Sequence, residues 1–381
     1  QMARPRLYFV MTDRFALPTT GGDQRPRCGV GVGSREWCGG TLSGVTRRLD
    51  YIQSMGFDAI WITPVVKQVP WRDNWNGTAY HGYWAADFAS LEARIGGETE
   101  LQALKDACAS RGMLLMLDVV ANHVGPIHSL SEVAQLGPGL RSTAGFTQFH
   151  SLDRAPDESF AHYLTHPRTV MSAGERCWPH YDFGRRCNHS VILNGWFGDL
   201  ADLNQSNSVI SSYLLRAIRN LVQTYGIDGL RLDTALYMPN WFLDQLQQAV
   251  GVPILGEVTT CNFSFHRSFS PPLAGLLNFP ITTQLGSAFN SSGNLSFFST
   301  QLHRSQAAAY PDPHLLGNFV DNHDEDRFLY AHGDDAAQLC ENSVGSNPLA
   351  GSNPLVGSQA TRHLTPNGTH TTRDRTAHWI Y

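Results

Sequence analysis

The chain contains no apolar run approaching the roughly 18 residues that crossing a bilayer requires. Charge is sparse as well: Asp, Glu, Lys and Arg make up 16% of its 381 residues, for a formal net charge of -5. No basic stripe runs along it. The first absence excludes a membrane-spanning role, and the second excludes nucleic acid and anionic membrane as partners. No CxxC pair occurs, which counts against structural zinc, and no GxGxxG turn occurs, which counts against a dinucleotide-binding sheet. No signal-peptide pattern opens the chain, so it reads as a mature or trimmed form.

What is present supports a large core. Apolar residues make up 42% of the chain and aromatic residues 10%, enough for one large domain or two ordinary ones. Seven cysteines fall at Cys28, Cys38, Cys108, Cys177, Cys187, Cys261 and Cys340. Cys28 and Cys38, and again Cys177 and Cys187, flank a short loop. That spacing suits two local disulfides in an exported protein, with zinc as the rival reading. Cys108 falls on the apolar face of a helical pattern and reads as a buried thiol, while Cys261 and Cys340 have no evident mates. Seven N-glycosylation sequons begin at Asn76, Asn188, Asn204, Asn262, Asn290, Asn294 and Asn367. Each alone is weak evidence; together with the cysteines they favour secretion.

Short apolar runs recur along the chain: LYFVMT from Leu7, AIWIT from Ala59, MLLMLDVV from Met113, GLRLD from Gly229, PILGEV from Pro253, GLLNFP from Gly275 and LLGNFVD from Leu315. They show little polar alternation, the pattern of strands buried on both faces. Helical stripes lie between several of them. Leu42, Val45, Leu49, Ile52 and Met55 form one, ending at Gly56. Leu101, Leu104 and Cys108 form another, opened by a Thr99/Gln102 capping box and ending at Gly112. Val209, Tyr213, Leu214, Ala217, Ile218 and Leu221 form a third, ending at Gly226.

Repeated β-α units with doubly buried strands predict an α/β fold, a (β/α)8-type TIM barrel. Residues 124–200, rich in Gly, Pro and His, break the rhythm and predict a small inserted subdomain after the third strand. Past Tyr330 the pattern collapses. No eighth strand is visible, so the barrel reads as C-terminally incomplete, with a catalytic unit over residues 1–340. Residues 341–381, where GSNPLAGSNPL repeats itself, read as a low-complexity, disordered tail.

Charged and polar residues gather at the carboxyl ends of those runs: Asp118, Asn122 and His123 after the third, Arg231 and Asp233 at the fourth, Glu257 at the fifth, His323 and Asp324 after the seventh. In a barrel that end carries the active site. Strand alternation puts Arg231 and Asp233 on one face, away from Leu230 and Leu232. Each has a plain structural reading, an Asp after a strand as a helix cap and Arg231 as half of a core ion pair. Burying such charges is costly unless they are paired, however, and residues from four strands converge on one rim.

DVVANH at 118–123, GLRLDTALY at 229–237, GEV at 256–258 and FVDNHD at 319–324 resemble, in order, the four sequence regions of the α-amylase family, glycoside hydrolase family 13. YFVMTDRFA, CGGTLSGVTRRLDYIQSMGFDAIWITPV and AYHGYW resemble secreted fungal α-amylases more closely still. The resemblance implies retaining endo-hydrolysis of α-1,4-glucosidic bonds in starch-like glucans or maltooligosaccharides. Asp233 would be the nucleophile, Glu257 the general acid/base, and Asp324 the acid that holds the sugar and steadies the transition state. A retaining pair needs one carboxylate ionised to attack the anomeric carbon and one carboxyl protonated to release the leaving oxygen. Arg231 is expected to keep Asp233 charged. Glu257, expected to be short of cationic neighbours and partly desolvated, is expected to keep its proton.

The resemblance further implies sugar contacts from Tyr80, His81, Tyr83, His123, Arg231 and His323, with Tyr83 offering a stacking face, Trp84 packing, and Asp118 buttressing the site. It also implies a structural calcium that clamps the inserted subdomain to the barrel, held by the side chains of Asn122 and Asp202 and by carbonyls near Arg185 and of Tyr237. The partner expected is the glucan, and the protein is expected to be a secreted, extracellular monomer.

The resemblance fails in three places. The family usually has Lys-His where this chain has Leu236 and Tyr237. That removes two donors from the acceptor side and leaves a 4-α-glucanotransferase as an alternative to hydrolysis. Cys261 lacks its counterpart, because the matching position near Tyr310 is not cysteine, and is expected to be free or mispaired. The eighth strand and the family's C-terminal β-sandwich are missing. Their absence is expected to leave the first and seventh strands with unpaired edges and points to an incomplete or misread gene end. It also keeps open a catalytically silent, glucan-binding relative.

Overall fold

Each of the seven apolar runs forms a strand, and all seven lie parallel in one sheet. The computed structural model describes residues 5–19, 21, 25–26, 28–29, 35–73, 77–141, 147–150, 189–197, 200–289, 295–301, 310, 312–324, 328 and 379–380. In chain order the strands are β1 (Leu7–Val10), β2 (Ala59–Ile62), β3 (Val66–Gln68), β4 (Ala85–Leu91), β5 (Leu114–Val119), β6 (His123–Pro126), β7 (Leu200–Asp202), β8 (Gly229–Leu232), β9 (Ile254–Gly256), β10 (Gly275–Leu277), β11 (Leu316–Gly317) and β12 (Trp379–Ile380). The sheet order is β11-β10-β9-β8-β5-β2-β1-β12. Every neighbouring pair from β1 to β11 is parallel, the arrangement of a (β/α)8-type barrel. β3 with β4, and β6 with β7, form separate antiparallel ladders.

Two apolar layers follow from strand alternation. Phe9, Trp61 and Met116 are register partners across β1, β2 and β5; with Leu277, Phe279 and Phe319 they form the inner layer. Tyr8, Val10, Ile60, Ile62, Leu115 and Leu117 point the other way, into the larger core shared with the helices. Each fully buried Leu or Ile there contributes about 1.5–3 kcal/mol. Helix Ser208–Tyr225 shows how the sequence writes its packing. Asn207 accepts from the Val209 N–H at one end, Gly226 turns left-handed at the other, and Ile210, Tyr213, Leu214, Ala217 and Ile218 are buried between them.

Three expected helix details need correction. Val209 is 58% exposed, because Ile210 takes the inward position in the first turn. The Leu42 to Met55 stripe is two helices, Leu42–Thr46 and Leu49–Ser54, since the Arg48 backbone leaves the helical region; Leu42, Val45, Leu49 and Ile52 stay buried all the same. Helix Gly97–Ser110 starts ahead of the Thr99/Gln102 box, because Gly96 at φ 119 passes the chain from the preceding 3₁₀ turn directly into the helix.

The first strand is not left open over its whole edge: Tyr8 and Phe9 pair antiparallel with Ile380 and Trp379. The rest of the 341–381 tail lies outside the described residues, as does most of the 124–200 insertion. What is described of that insertion is anchored by the β6–β7 ladder, where His123 faces Asp202. Cys28 and Cys38 form a disulfide with Cα atoms 5.0 Å apart, and Cys108 is a buried thiol. Cys177, Cys187 and Cys340, and the sequons at Asn76, Asn188, Asn290, Asn294 and Asn367, lie outside the described residues. Among the described residues no helix is long and apolar enough to cross a membrane.

Candidate active site

The register of β5 against β8 sets Asp118 beside Arg231. The chain leaving β8 and β9 carries Asp233 and Glu257, whose backbone N–H groups donate to Val119 O and Leu232 O at 2.9 Å each. Alternation therefore brings one guanidinium and three carboxyls to the same end of the sheet. Arg231 is 1% exposed and binds all three. Its Nη1 donates to both Asp118 oxygens at 2.9 and 3.0 Å and to Asp233 Oδ1 at 2.8 Å, and its Nη2 lies 2.8 Å from Glu257 Oε2. Asp118 accepts two further bonds, from Tyr83 Oη at 2.8 Å and Trp61 Nε1 at 3.2 Å.

One buried cation cannot offset three buried anions, so the group retains protons. Burial pushes Glu257 up to about 8 and Asp118 up to about 7; Arg231 opposes both shifts and the Asp233 charge adds to both. The expectation that Glu257 is short of cationic neighbours is corrected here, since Arg231 Nη2 touches it. Its proton is retained because desolvation, reinforced by Asp233 and Asp324, outweighs the guanidinium. The two donors reaching Glu257, Arg231 Nη2 and the Thr234 N–H at 2.7 Å, both fall on Oε2. Oε1 has no donor among the described residues and is the oxygen left for the proton.

The AYHGYW segment forms one wall. Gly82, at φ 89, makes the turn between His81 and Tyr83, where a Cβ would sit 2.6 Å from Pro64 O. The Tyr83 N–H donates to His81 Nδ1 at 3.0 Å, which leaves the ring proton on Nε2. Burial, with the neighbouring His323 and Arg14, pushes His81 down to about 3, so it is neutral. The Tyr83 ring lies parallel to His323 at 5.4 Å and to His81 at 5.7 Å, so its stacking capacity is shared with two imidazoles. Tyr80 meets His81 edge-on at 5.0 Å and carries the Arg14 guanidinium 3.6 Å over its face. His123 is 3% exposed, and burial holds its pKa down. Trp84 is buried and packs edge-on against His81.

His323 stacks on Phe9 at 5.0 Å and stands 3.6 Å from Asp324. Asp324 keeps apart from the Arg231 group. Its side chain is 60% exposed, at the rim, although its charge reaches Glu257 and Tyr83.

A second polar group lies where β6 and β7 meet. The Asn122 side chain hydrogen-bonds Asp202, yet Asn122 Oδ1 is buried with no hydrogen-bond partner among the described residues. Asp202 is 1% exposed, lies 2.7 Å from His150 Nδ1, and is pushed up to about 6 by burial. Tyr237 closes the 3₁₀ turn Ala235–Tyr237, and Arg185 lies outside the described residues. Among the described residues no three His, Cys, Asp or Glu side chains stand close enough to hold a metal. The oxygens of Asn122 and Asp202 are hard donors of the kind calcium takes.

A family model described as alpha amylase, catalytic domain, matches residues 9–253. The chain belongs to the alpha-amylase catalytic-domain family. Alpha-amylase 2 of Schwanniomyces occidentalis is 32% identical over 349 residues, which is 90% of this chain and 61% of that protein. The alpha-amylase of Saccharomycopsis fibuligera is 31% identical over 348 residues, 90% of this chain and 62% of the relative. The solved structure of an alpha-amylase from Malbranchea cinnamomea matches with a TM-score of 0.69 at 32% identity, covering 86% of this chain and 63% of that one. The chain thus spans less than two thirds of the length of each of these relatives.

Within this alpha-amylase domain, positions 236 and 237 are apolar and enclosed: Leu236 is 1% exposed, and the Tyr237 ring lies 5.7 Å from Phe197. Four residues of the site lie inside the quoted motifs, which assign them no role. Phe9 and Trp61 sit on the inward parity of β1 and β2, so alternation was the signal that could have found them. Arg14 lies one residue past the buried Asp13, with nothing nearby in sequence to link it to Tyr80. Thr234 gives no signal at all, because its part depends on a backbone that turns left-handed, at φ 49.

Proposed function

We propose that this chain performs retaining endo-hydrolysis of α-1,4-glucosidic bonds in starch-like glucans, with Asp233 as nucleophile, Glu257 as general acid/base and Asp324 as the third acid. The observation that carries this reading is the shared guanidinium. Arg231 holds Asp233 and Glu257 at 2.8 Å each, while burial keeps a proton on Glu257 up to about 8. A retaining pair works at a short carboxyl separation, about 5–5.5 Å, which two acids on one guanidinium can meet; an inverting pair must leave room for a water between them.

In the first step Glu257 gives its Oε1 proton to the glycosidic oxygen as the bond from that oxygen to the anomeric carbon breaks, and an Asp233 oxygen closes on that carbon to form a glycosyl ester. In the second, Glu257 takes a proton from water, the water oxygen attacks the same carbon, and Asp233 leaves as carboxylate. Neutral His81 and His123, with His323, would donate to sugar hydroxyls. Tyr80 and Tyr83 would shape the wall, and Asp324 would reach the sugar from the open rim.

Calcium would bind through Asn122 and Asp202, whose orphaned amide oxygen and buried carboxylate fit a hard cation, with carbonyls near Arg185 and of Tyr237 as further ligands. When bound it would tie the inserted segment to the barrel. The Cys28–Cys38 disulfide supports an extracellular setting.

The test is release of reducing ends from soluble starch by the parent, Asp233→Asn and Glu257→Gln. The parent is expected to be active and each variant slower by roughly three orders of magnitude. Identical traces for all three would favour the silent, glucan-binding reading. Enclosed Leu236 and Tyr237 favour a second reading, 4-α-glucanotransfer; products longer than a maltooligosaccharide substrate would select it.

A further inference from the structure

Thr234 follows Asp233 and is the one non-glycine residue with positive φ among those described, at φ 49 and ψ 36. A β-branched residue is disfavoured there, and glycine or asparagine would turn the same corner with less strain. The local turn does not call for threonine: Thr234 O simply accepts from the Tyr237 N–H at 3.0 Å to open the 3₁₀ turn. The left-handed backbone and the side chain find their use elsewhere. The Thr234 N–H donates to Glu257 Oε2 at 2.7 Å, and Oγ1 donates to Asp233 Oδ2 at 2.9 Å.

These bonds complete what Arg231 begins. Asp233 has Oδ1 on Arg231 and Oδ2 on Thr234, so its carboxylate plane is fixed. Glu257 has Oε2 gripped by Arg231 and by the Thr234 N–H, so its Oε1 has one direction in which to point. The geometry points to Thr234 as the residue that fixes the two working acids relative to one another, its hydroxyl orienting Asp233 and its left-handed N–H orienting Glu257. Thr234 is a positioning residue. This inference rests on the reading of Asp233 and Glu257 as nucleophile and acid/base.

The experiment compares the parent with Thr234→Ala, which keeps the N–H and loses the hydroxyl, with Thr234→Ser, which keeps both, and with Thr234→Gly, which loses the hydroxyl and relieves the backbone. Each is assayed on a maltooligosaccharide from about pH 4 to 9. Thr234→Ala and Thr234→Gly are expected to lose about 10- to 100-fold in kcat with KM within about twofold of the parent. The shape of their pH profile is expected to differ from the parent's, because a hydrogen-bond donor to the nucleophile is gone. Thr234→Ser is expected to stay within about threefold of the parent. Parent-like kcat and pH profile in Thr234→Ala overturn the inference, as does a loss in Thr234→Ser equal to that in Thr234→Ala. Where thermal unfolding shows Thr234→Ala to be poorly folded, Thr234→Gly decides, and parent-like kcat there overturns the inference. An inactive parent sinks the functional reading and this inference together; an active parent with an unchanged Thr234→Ala sinks this inference alone.

Discussion

At the scale of single residues, a shortage of positive charge governs the site. Among the described residues Arg231 is the cation in direct contact with Asp118, Asp233 and Glu257. Arg231→Lys keeps the charge but loses the planar fork, and one ammonium cannot reach three carboxyls. The substitution is expected to cost about 3–5 kcal/mol, measured by urea unfolding, because it leaves buried acids uncompensated; unchanged stability would show that the three acids do not depend on the fork. The same shortage sets a pH dependence. Folded Glu257 titrates at about 8 against an ordinary value of 4.5, because burial, Asp233 and Asp324 outweigh Arg231. Between those values the folded chain holds a proton that the unfolded chain has released, so this contribution is full below about 4.5 and is lost as pH rises through about 8. Its slope is at most about 1.4 kcal/mol per pH unit. Asp118 acts in the same sense between 3.8 and about 7. His81 acts in the opposite sense, its contribution present above 6.5 and lost as pH falls through about 3. The thermal midpoint of the parent is therefore expected to fall from pH 6 toward pH 9, and to fall less in Glu257→Gln, whose amide does not titrate. Parallel curves for the two proteins would remove Glu257 as the cause.

At the scale of elements, sequence is informative where a short-range rule decides and silent where a long-range neighbour does. The seven parallel strands are legible because a doubly buried strand must be an unbroken apolar run, and the gathering of Asp118, Arg231, Asp233 and Glu257 is legible because the carboxyl ends of parallel strands lie on one side of the sheet. That Arg231 Nη2 reaches Glu257 is not legible, since it requires the register of β8 on β9. Nor is the early start of helix Gly97–Ser110, where Glu100 turns away to accept the Ser43 N–H at 2.9 Å. Tyr310 belongs with these. By motif it marks only a disulfide half that is absent, yet in the fold its hydroxyl bonds His266 Nδ1, while His266 Nε2 donates to Leu277 O at 2.9 Å. Because Nε2 must hold the ring proton, Nδ1 accepts from the tyrosine. Burial keeps this histidine neutral, with its pKa down to about 4. The pair ties the segment after β9 to the segment before β11 and to the end of β10. Tyr310→Phe strands a fully buried acceptor and is expected to cost about 1–3 kcal/mol in urea unfolding. A change within experimental error would mean that the link is dispensable.

At the scale of the whole molecule, one unbalanced set of polar atoms among the described residues falls at the junction between barrel and insertion. Asn122 leaves β5 for β6, and Asp202 ends β7 just ahead of the helix Ser208–Tyr225, so the two sit where the inserted chain departs and returns. A buried amide oxygen with no donor among the described residues, beside a buried carboxylate, is a costly arrangement if nothing binds it. A divalent cation would turn the cost into a tie across the junction, and its removal should be felt as a loss of global stability and not only of activity. At about a hundredfold excess over Kd a ligand bound only by the folded state contributes about 2.7 kcal/mol. The unfolding midpoint is therefore expected to drop by several degrees when EDTA replaces calcium and to recover when calcium is restored. Asn122→Ala, which deletes the orphaned oxygen, is expected to unfold at one midpoint in either buffer. An EDTA-insensitive parent would take calcium out of the reading, and an Asn122→Ala protein that still responds to calcium would move the ion to other ligands.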